Sequence, residues 1–239
     1  DGIPVCLRGC NLGNWFLLEM WMLDMPEIRD QHSFMNILTS RFGKKEADRL
    51  LEIYRANWIT GRDFDLIASC GFNVVRLPFH YSLLEEDQHP MILKKEGLDW
   101  LDRAVDMAAQ RNLYVILDLH GAQGGQSTDH TTGQVDVNRL WTDPQNQERC
   151  IWLWRQLAAH FRNNPTIAAY DVINEPFGDT RTDRHEPALA NLFNDLYKAI
   201  RAEDPRHIIL APGTHNGVEF YGDPVTNGWQ QVGFTEHFY

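Results

Sequence analysis

The chain predicts an α/β protein of the (β/α)8 TIM-barrel type, with about six β/α units present, and three observations carry that reading. Short apolar runs alternate with amphipathic segments of helical period. Runs such as Ile167-Ala168-Ala169-Tyr170 are apolar almost throughout, as parallel strands covered on both faces must be. Each run ends on polar or charged residues followed by Gly or Pro, so the polar groups gather at one edge of the sheet, as in a barrel. A closed barrel needs eight strands. Residues 1–239 are therefore expected to form one barrel domain whose strands seven and eight are missing.

In chain order, Val5 to Asn11 reads as a first strand, and Arg8-Gly9-Cys10-Asn11-Leu12-Gly13-Asn14-Trp15 brings Asn11 and Trp15 to its end. The aromatic stretch to Trp21 holds one acid, Glu19, and reads as a loop over the barrel mouth. Glu46 to Tyr54 has helical period, and Thr60-Gly61-Arg62-Asp63 is a capping-box pattern opening a helix over 64–70. The second strand is Asn73 to Phe79. It carries Arg76 between Val75 and Leu77, and an Arg buried there requires an anionic partner.

A helix through Leu98 and Ala109 leads to a third strand, Tyr114 to Gly121, ending in Asp118 and His120. The glycines from Gly121 to Gly125 lack the spacing of a nucleotide loop. Asp143-Pro144 opens the next helix, with Pro at its first position. The fourth strand runs into Asn174-Glu175-Pro176, where Pro ends the ladder and leaves Glu175 at the strand's carboxyl end. Pro187 opens a further helix. His207 to Leu210 is a fifth strand, and Val232 to Tyr239 a sixth with His237 and Tyr239 on one face.

Composition sets limits. With 43% hydrophobic residues, 8 Trp and 12 Phe, one large core can form. A net charge of -11 disfavours nucleic acid and anionic membrane surfaces. No run reaches the roughly 20 apolar residues of a membrane span. Cys6, Cys10, Cys70 and Cys150 form no CxxC pair, and Cys6 and Cys10 read as two buried thiols. The chain begins at Asp1, which suggests processing; an extracellular or periplasmic protein is expected, with a cytoplasmic one left open.

The strand-end residues are Arg76, His120, Asn174, Glu175, His237 and Tyr239, ringed by Trp15, Trp141 and Trp229. They include neither a cofactor loop nor a helical pair of metal ligands, so no cofactor and no metal are expected. A carboxylic acid among amide donors and aromatic rings suits an uncharged polyol. Glycoside hydrolysis uses two carboxyl groups, about 5–5.5 Å apart when configuration is retained.

In these motifs the chain resembles glycoside hydrolase family 5, in its exo-β-1,3-glucanase-like and cellulase-like branch. The resemblance runs from Arg8-Gly9-Cys10-Asn11-Leu12-Gly13-Asn14-Trp15 and Leu18-Glu19 through Val75-Arg76-Leu77-Pro78 and Leu117-Asp118-Leu119-His120-Gly121. It continues to Ile173-Asn174-Glu175-Pro176 and His237-Phe238-Tyr239. It implies a retaining β-glucan hydrolase with Glu175 as general acid/base and Asn174 as donor to the sugar 2-hydroxyl. It further implies that Arg76 and Tyr239 hold the nucleophile ionised, that His237 orients the catalytic pair, and that His120 and Glu19 bind sugar. Asn11, Trp15 and Trp141 complete the expected substrate site, and the partner is a β-linked oligo- or polysaccharide bound by a monomer.

The family's nucleophilic Glu follows the His-x-Tyr strand, and so is expected beyond residue 239. Glu236 precedes His237 and points to the opposite strand face, which argues against it as a substitute. A protein lacking the nucleophile altogether would be a non-catalytic carbohydrate-binding or scaffold protein, the competing reading. A six-stranded barrel would expose sheet edges, which weighs against that reading.

Overall fold

The computed structural model describes residues 4–178 and 185–238. Six parallel strands form one sheet in chain order, β1 (Gly9–Asn11), β2 (Val74–His80), β3 (Tyr114–Gly121), β4 (Ile167–Asp171), β5 (Ile208–Pro212) and β6 (Val232–Thr235). The intervening helices are α1 (Gln31–Phe42), α2 (Lys44–Trp58), α3 (Gly61–Ser69), α4 (Lys95–Ala109), α5 (Pro144–Phe161) and α6 (Glu186–Glu203). From β1 to β5 each parallel pair is joined by a helical crossover, the repeating unit of the expected barrel, whereas β5 and β6 are joined by a loop with one short 3-10 turn, Glu219–Tyr221.

Strand register sorts the side chains. Asn11 pairs with Arg76, Pro78 with Asp118, and Asp118 with Asp171. Because side chains alternate with a period of two, these paired residues share one sheet face, and Arg76 joins Pro78 on it. Phe79, Leu117, Leu119 and Tyr170 take the other face and are fully buried. Against them packs α5, whose Trp154 ring lies 6.2 Å from Phe79 and 5.7 Å from Tyr170. The apolar face thus binds helices, each large buried side chain contributing about 1.5–3 kcal/mol. The charged residues are left on the face turned to the barrel interior.

Helix starts follow the sequence. The Thr60 amide and hydroxyl both donate to Asp63 Oδ2, at 2.7 and 2.9 Å, closing the expected capping box before α3. Asp143 accepts from the Gln145 amide at 3.0 Å with Pro144 first in α5. The second helix extends past the expected 46–54, and α6 begins one residue before Pro187.

Several expectations are corrected. β1 starts at Gly9, because Val5 and Leu7 are exposed and outside the ladder. β6 stops at Thr235, so His237 does not stand on a strand and the face argument that placed it beside Tyr239 and against Glu236 does not apply. The helix α1 carried no clear periodic signal; Asp30 caps it by accepting from the Ser33 amide at 2.7 Å. The thiols of Cys6 and Cys10 are not buried as expected: Cys6 is exposed and Cys10 partly so, while Cys150 is buried, and all four are free. Among the described residues no helix is long and apolar enough to cross a membrane.

Candidate active site

Arg76 is the charged centre of the interior face. Its Nη1 lies 2.9 Å from Asp118 Oδ2, and its Nε donates to Asp171 Oδ2 at 2.9 Å. Both carboxylates are buried, on the two strands next along the sheet. Burial works against the Arg76 charge, but the two carboxylates outweigh it and hold the guanidinium above its ordinary pKa. Burial pushes Asp171 up to about 6, against the pull of Arg76. The anionic partner expected for Arg76 is therefore a pair of aspartates.

The remaining Arg76 donor reaches the fourth strand's end, where Nη2 donates to Asn174 Oδ1 at 2.8 Å. The Asn174 Nδ2 sits 3.3 Å from His120 Nε2, and His120 Nδ1 is 2.6 Å from Asp118 Oδ2. A carboxylate acceptor places the proton on Nδ1, which leaves Nε2 to accept from Asn174. Arg76, Asp118, His120 and Asn174 thus form a closed ring. The ring fixes the Asn174 amide at both ends and leaves one Nδ2 hydrogen for another acceptor. Asn11 adds a long contact, accepting from Arg76 Nη1 at 3.4 Å.

β4 ends before this point, at Asp171, and other contacts carry the chain onward. The Trp154 indole donates to Val172 O at 2.9 Å, and the Asn174 amide to Leu119 O at 3.1 Å. Glu175 then adopts φ +38°, in the left-handed region, directly before Pro176. Left-handed backbone at a non-Gly residue costs about 1–3 kcal/mol and persists only where surroundings impose it. Phe177 and Gly178 continue with φ of 71° and 56°. At Gly178 the positive φ favours glycine, and an added Cβ would also press on the Asp129 carboxylate.

Across the sheet, His237 Nδ1 lies 2.7 Å from Glu175 Oε1. The hydrogen bond to Glu175 raises the His237 pKa above its ordinary value, with burial opposing. Both side chains remain partly open to solvent, and the carboxyl stands at the carboxyl edge of the sheet.

The remaining expected residues fall elsewhere. Trp15 is 1% exposed, stacks on Phe16 at 4.2 Å and donates its indole to Arg55 O, so it is core and cannot face a sugar. Trp141 is buried too; its indole donates to Gln126 O at 2.9 Å and its ring packs on Phe177, behind the Glu175 turn. Trp229 packs among Phe193, Tyr197 and Tyr221. Glu19 accepts from the exposed Trp21 indole at 2.8 Å and lies 3.7 Å from His130 Nε2. Trp21 and His130 help to line an open, mainly apolar groove of about 600 Å³. Tyr239 lies outside the described residues.

Sequence reasoning missed Asp171 and gave Asp118 no place in the site. An unpaired Arg on a neighbouring strand was the available signal for both. No group of side chains among the described residues could hold a metal ion.

With this geometry in view, the comparisons fall in one class. Residues 43–239 match the model described as cellulase (glycosyl hydrolase family 5). A beta-xylosidase of Phanerodontia chrysosporium is 34% identical over 242 residues, covering 100% of this chain and 49% of that protein. A glucan 1,3-beta-glucosidase of Blumeria graminis is 33% identical over 180 residues, covering 71% of this chain and 41% of its own. Among solved structures, rutinosidase from Aspergillus niger superposes with TM-score 0.78 over 97% of this chain and 68% of that one, at 17% identity, a likeness of fold. The chain spans about half the length of the curated relatives it matches. With a family model matched over most of its length, the chain belongs to glycosyl hydrolase family 5.

Proposed function

We propose that the protein carrying this chain is a retaining β-glycoside hydrolase acting on β-glucans, of exo-β-1,3-glucanase or β-glucosidase type, with Glu175 as general acid/base. The observation that carries the reading is the position of Glu175. It follows the amide ring of Arg76, Asp118, His120 and Asn174 and stands against His237 at the sheet's carboxyl edge. In the first half-reaction the Glu175 proton passes to the leaving glycosidic oxygen as the bond breaks and the nucleophile takes the anomeric carbon. In the second, Glu175 accepts a proton from water as that water displaces the enzyme.

Asn174 suits its role because Arg76 and His120 hold its amide and leave one donor hydrogen to meet a sugar hydroxyl. Asp118 and Asp171 keep Arg76 charged near the site, where it favours an ionised nucleophile. The nucleophile is proposed to be a glutamate that follows the His237-Phe238-Tyr239 stretch, at the end of a seventh strand. His120, Glu19 and Asn11 remain as polar contacts to a β-linked saccharide. The protein is read as an extracellular or periplasmic monomer that uses no cofactor.

The test is incubation of the complete protein with aryl β-glucosides, aryl β-xylosides and laminarin-type glucan. Release of β-configured sugar first, from a glucoside or the glucan, is expected. A folded protein that turns over none of them, whether or not it binds glucan, would overturn the reading, and turnover of xylosides alone would overturn its glucan assignment.

A further inference from the structure

The geometry points to Gln126 as a positioning residue that holds the Glu175 carboxyl in its working place. This inference rests on the acid/base reading of Glu175. Gln126 is fully buried and touches that segment from both sides. Its Nε2 donates to His120 O at 2.7 Å and to Asn174 O at 2.9 Å. Its Oε1 accepts from the Ala122 amide at 3.0 Å. Its own carbonyl accepts from the Phe177 amide and the Trp141 indole, each at 2.9 Å.

One residue therefore grips the peptide before Glu175 and the amide two residues after it, and ties both to the end of β3. Between the two grips lies the φ +38° backbone of Glu175, followed by proline. A left-handed residue there relaxes unless its flanks are fixed. Gln126 fixes both flanks, and the other end of its side-chain amide is fixed by Ala122, the residue after β3. The contacts to His120 O, Asn174 O and the Ala122 amide require a side-chain amide, while the Phe177 and Trp141 contacts use the main-chain carbonyl that any residue supplies. Replacing Nε2 by an oxygen leaves two buried carbonyls without donors.

A displaced general acid has a specific signature. Protonation matters when the departing oxygen is strongly basic, and hardly at all when it leaves as a stable phenolate. The experiment compares Gln126→Met and Gln126→Glu with the unaltered complete protein on two substrates, a disaccharide and a 2,4-dinitrophenyl β-glycoside, reading kcat/KM for each. The expected result is a loss of about 10–100-fold on the disaccharide, within the range general acid catalysis contributes, and under about 3-fold on the dinitrophenyl glycoside. The retained activity shows at the same time that the variant is folded. Equal loss on both substrates, or no loss on either, would overturn the assignment.

A second readout needs no turnover. In Gln126→Met the imidazole signal of His237 should titrate at lower pH than in the unaltered protein, because Glu175 no longer stands against Nδ1. An unchanged His237 titration in a folded variant would also overturn the assignment. If the unaltered protein hydrolyses neither substrate while this titration moves, the acid/base reading fails and the positioning role of Gln126 stands.

Discussion

His237 Nδ1 and Glu175 Oε1 stand 2.7 Å apart although 62 residues separate them in sequence. The contact joins the turn after β4 to the segment after β6 and shapes the titration of the imidazole. Glu175 raises the His237 pKa, so its protonated form is favoured in the folded protein. Stability from the pair is fully present below the unfolded-state value near 6.5 and is lost as pH rises through the folded-state value. With both side chains partly exposed, it amounts to about 1 kcal/mol or less. Glu175→Gln should lower the His237 titration midpoint in an NMR pH series. A midpoint that does not move would show that the pair contributes nothing.

Arg76 holds two buried carboxylates, and its removal should be costly. Arg76→Ala is expected to destabilise the protein by about 3–5 kcal/mol, because Asp118 and Asp171 then face each other without a counter-charge. Adding Asp171→Asn to Arg76→Ala should recover part of that loss, since one of the stranded charges is gone. Denaturant midpoints for the single and double variants decide it. A double variant less stable than Arg76→Ala would mean that Asp171 does something other than balance the arginine.

This network shows where the sequence was readable. Arg76 between Val75 and Leu77 announced a buried charge, and register theory could have found its partners, because Pro78, Asp118 and Asp171 stand in line across neighbouring strands. Asp171 escaped because it sits inside an apolar run, where a strand former and a buried acid look alike until its neighbour is known. Trp15 was misplaced for the opposite reason. An aromatic residue beyond a strand end reads as a sugar platform, whereas Phe16, Phe64 and Trp100 enclose it. Gln126 carries no periodic signal, and its side chain reaches a residue 48 positions away in sequence.

His80 supplies a pH dependence unrelated to Glu175. Its Nδ1 accepts from the Ser82 amide at 3.3 Å, and burial lowers its pKa to about 4, with Asp87 pulling the other way. The unfolded chain binds a proton near pH 6.5 while the folded chain resists until about 4, so stability should fall as pH drops through that window. Below it, this group costs nothing further. The loss should be about 2–3 kcal/mol, allowing for the solvent contact the ring retains. His80→Gln should flatten the stability profile between those pH values in urea titrations. An equal slope in the variant would place the acid sensitivity elsewhere.

Gly97 gives a test of packing in which helix propensity and sterics disagree. It lies in the first turn of α4, buried, where an alanine would ordinarily favour the helix by about 1 kcal/mol. A Cβ built there would sit 1.8 Å from Leu83 O and 2.7 Å from Leu83 C, which are backbone atoms. That backbone is anchored, because the next residue's carbonyl, Leu84 O, accepts from the Lys94 amide at 2.7 Å. The helix must therefore back away from the segment after β2, an overpacking cost of about 1–3 kcal/mol or more. Sterics should win. Gly97→Ala is expected to lower the denaturant midpoint, while Glu96→Ala, at the exposed neighbouring position, should change stability by no more than about 0.5 kcal/mol. A more stable Gly97→Ala variant would mean that α4 can slide along its contact with Leu83, and that the close approach is not needed for the fold.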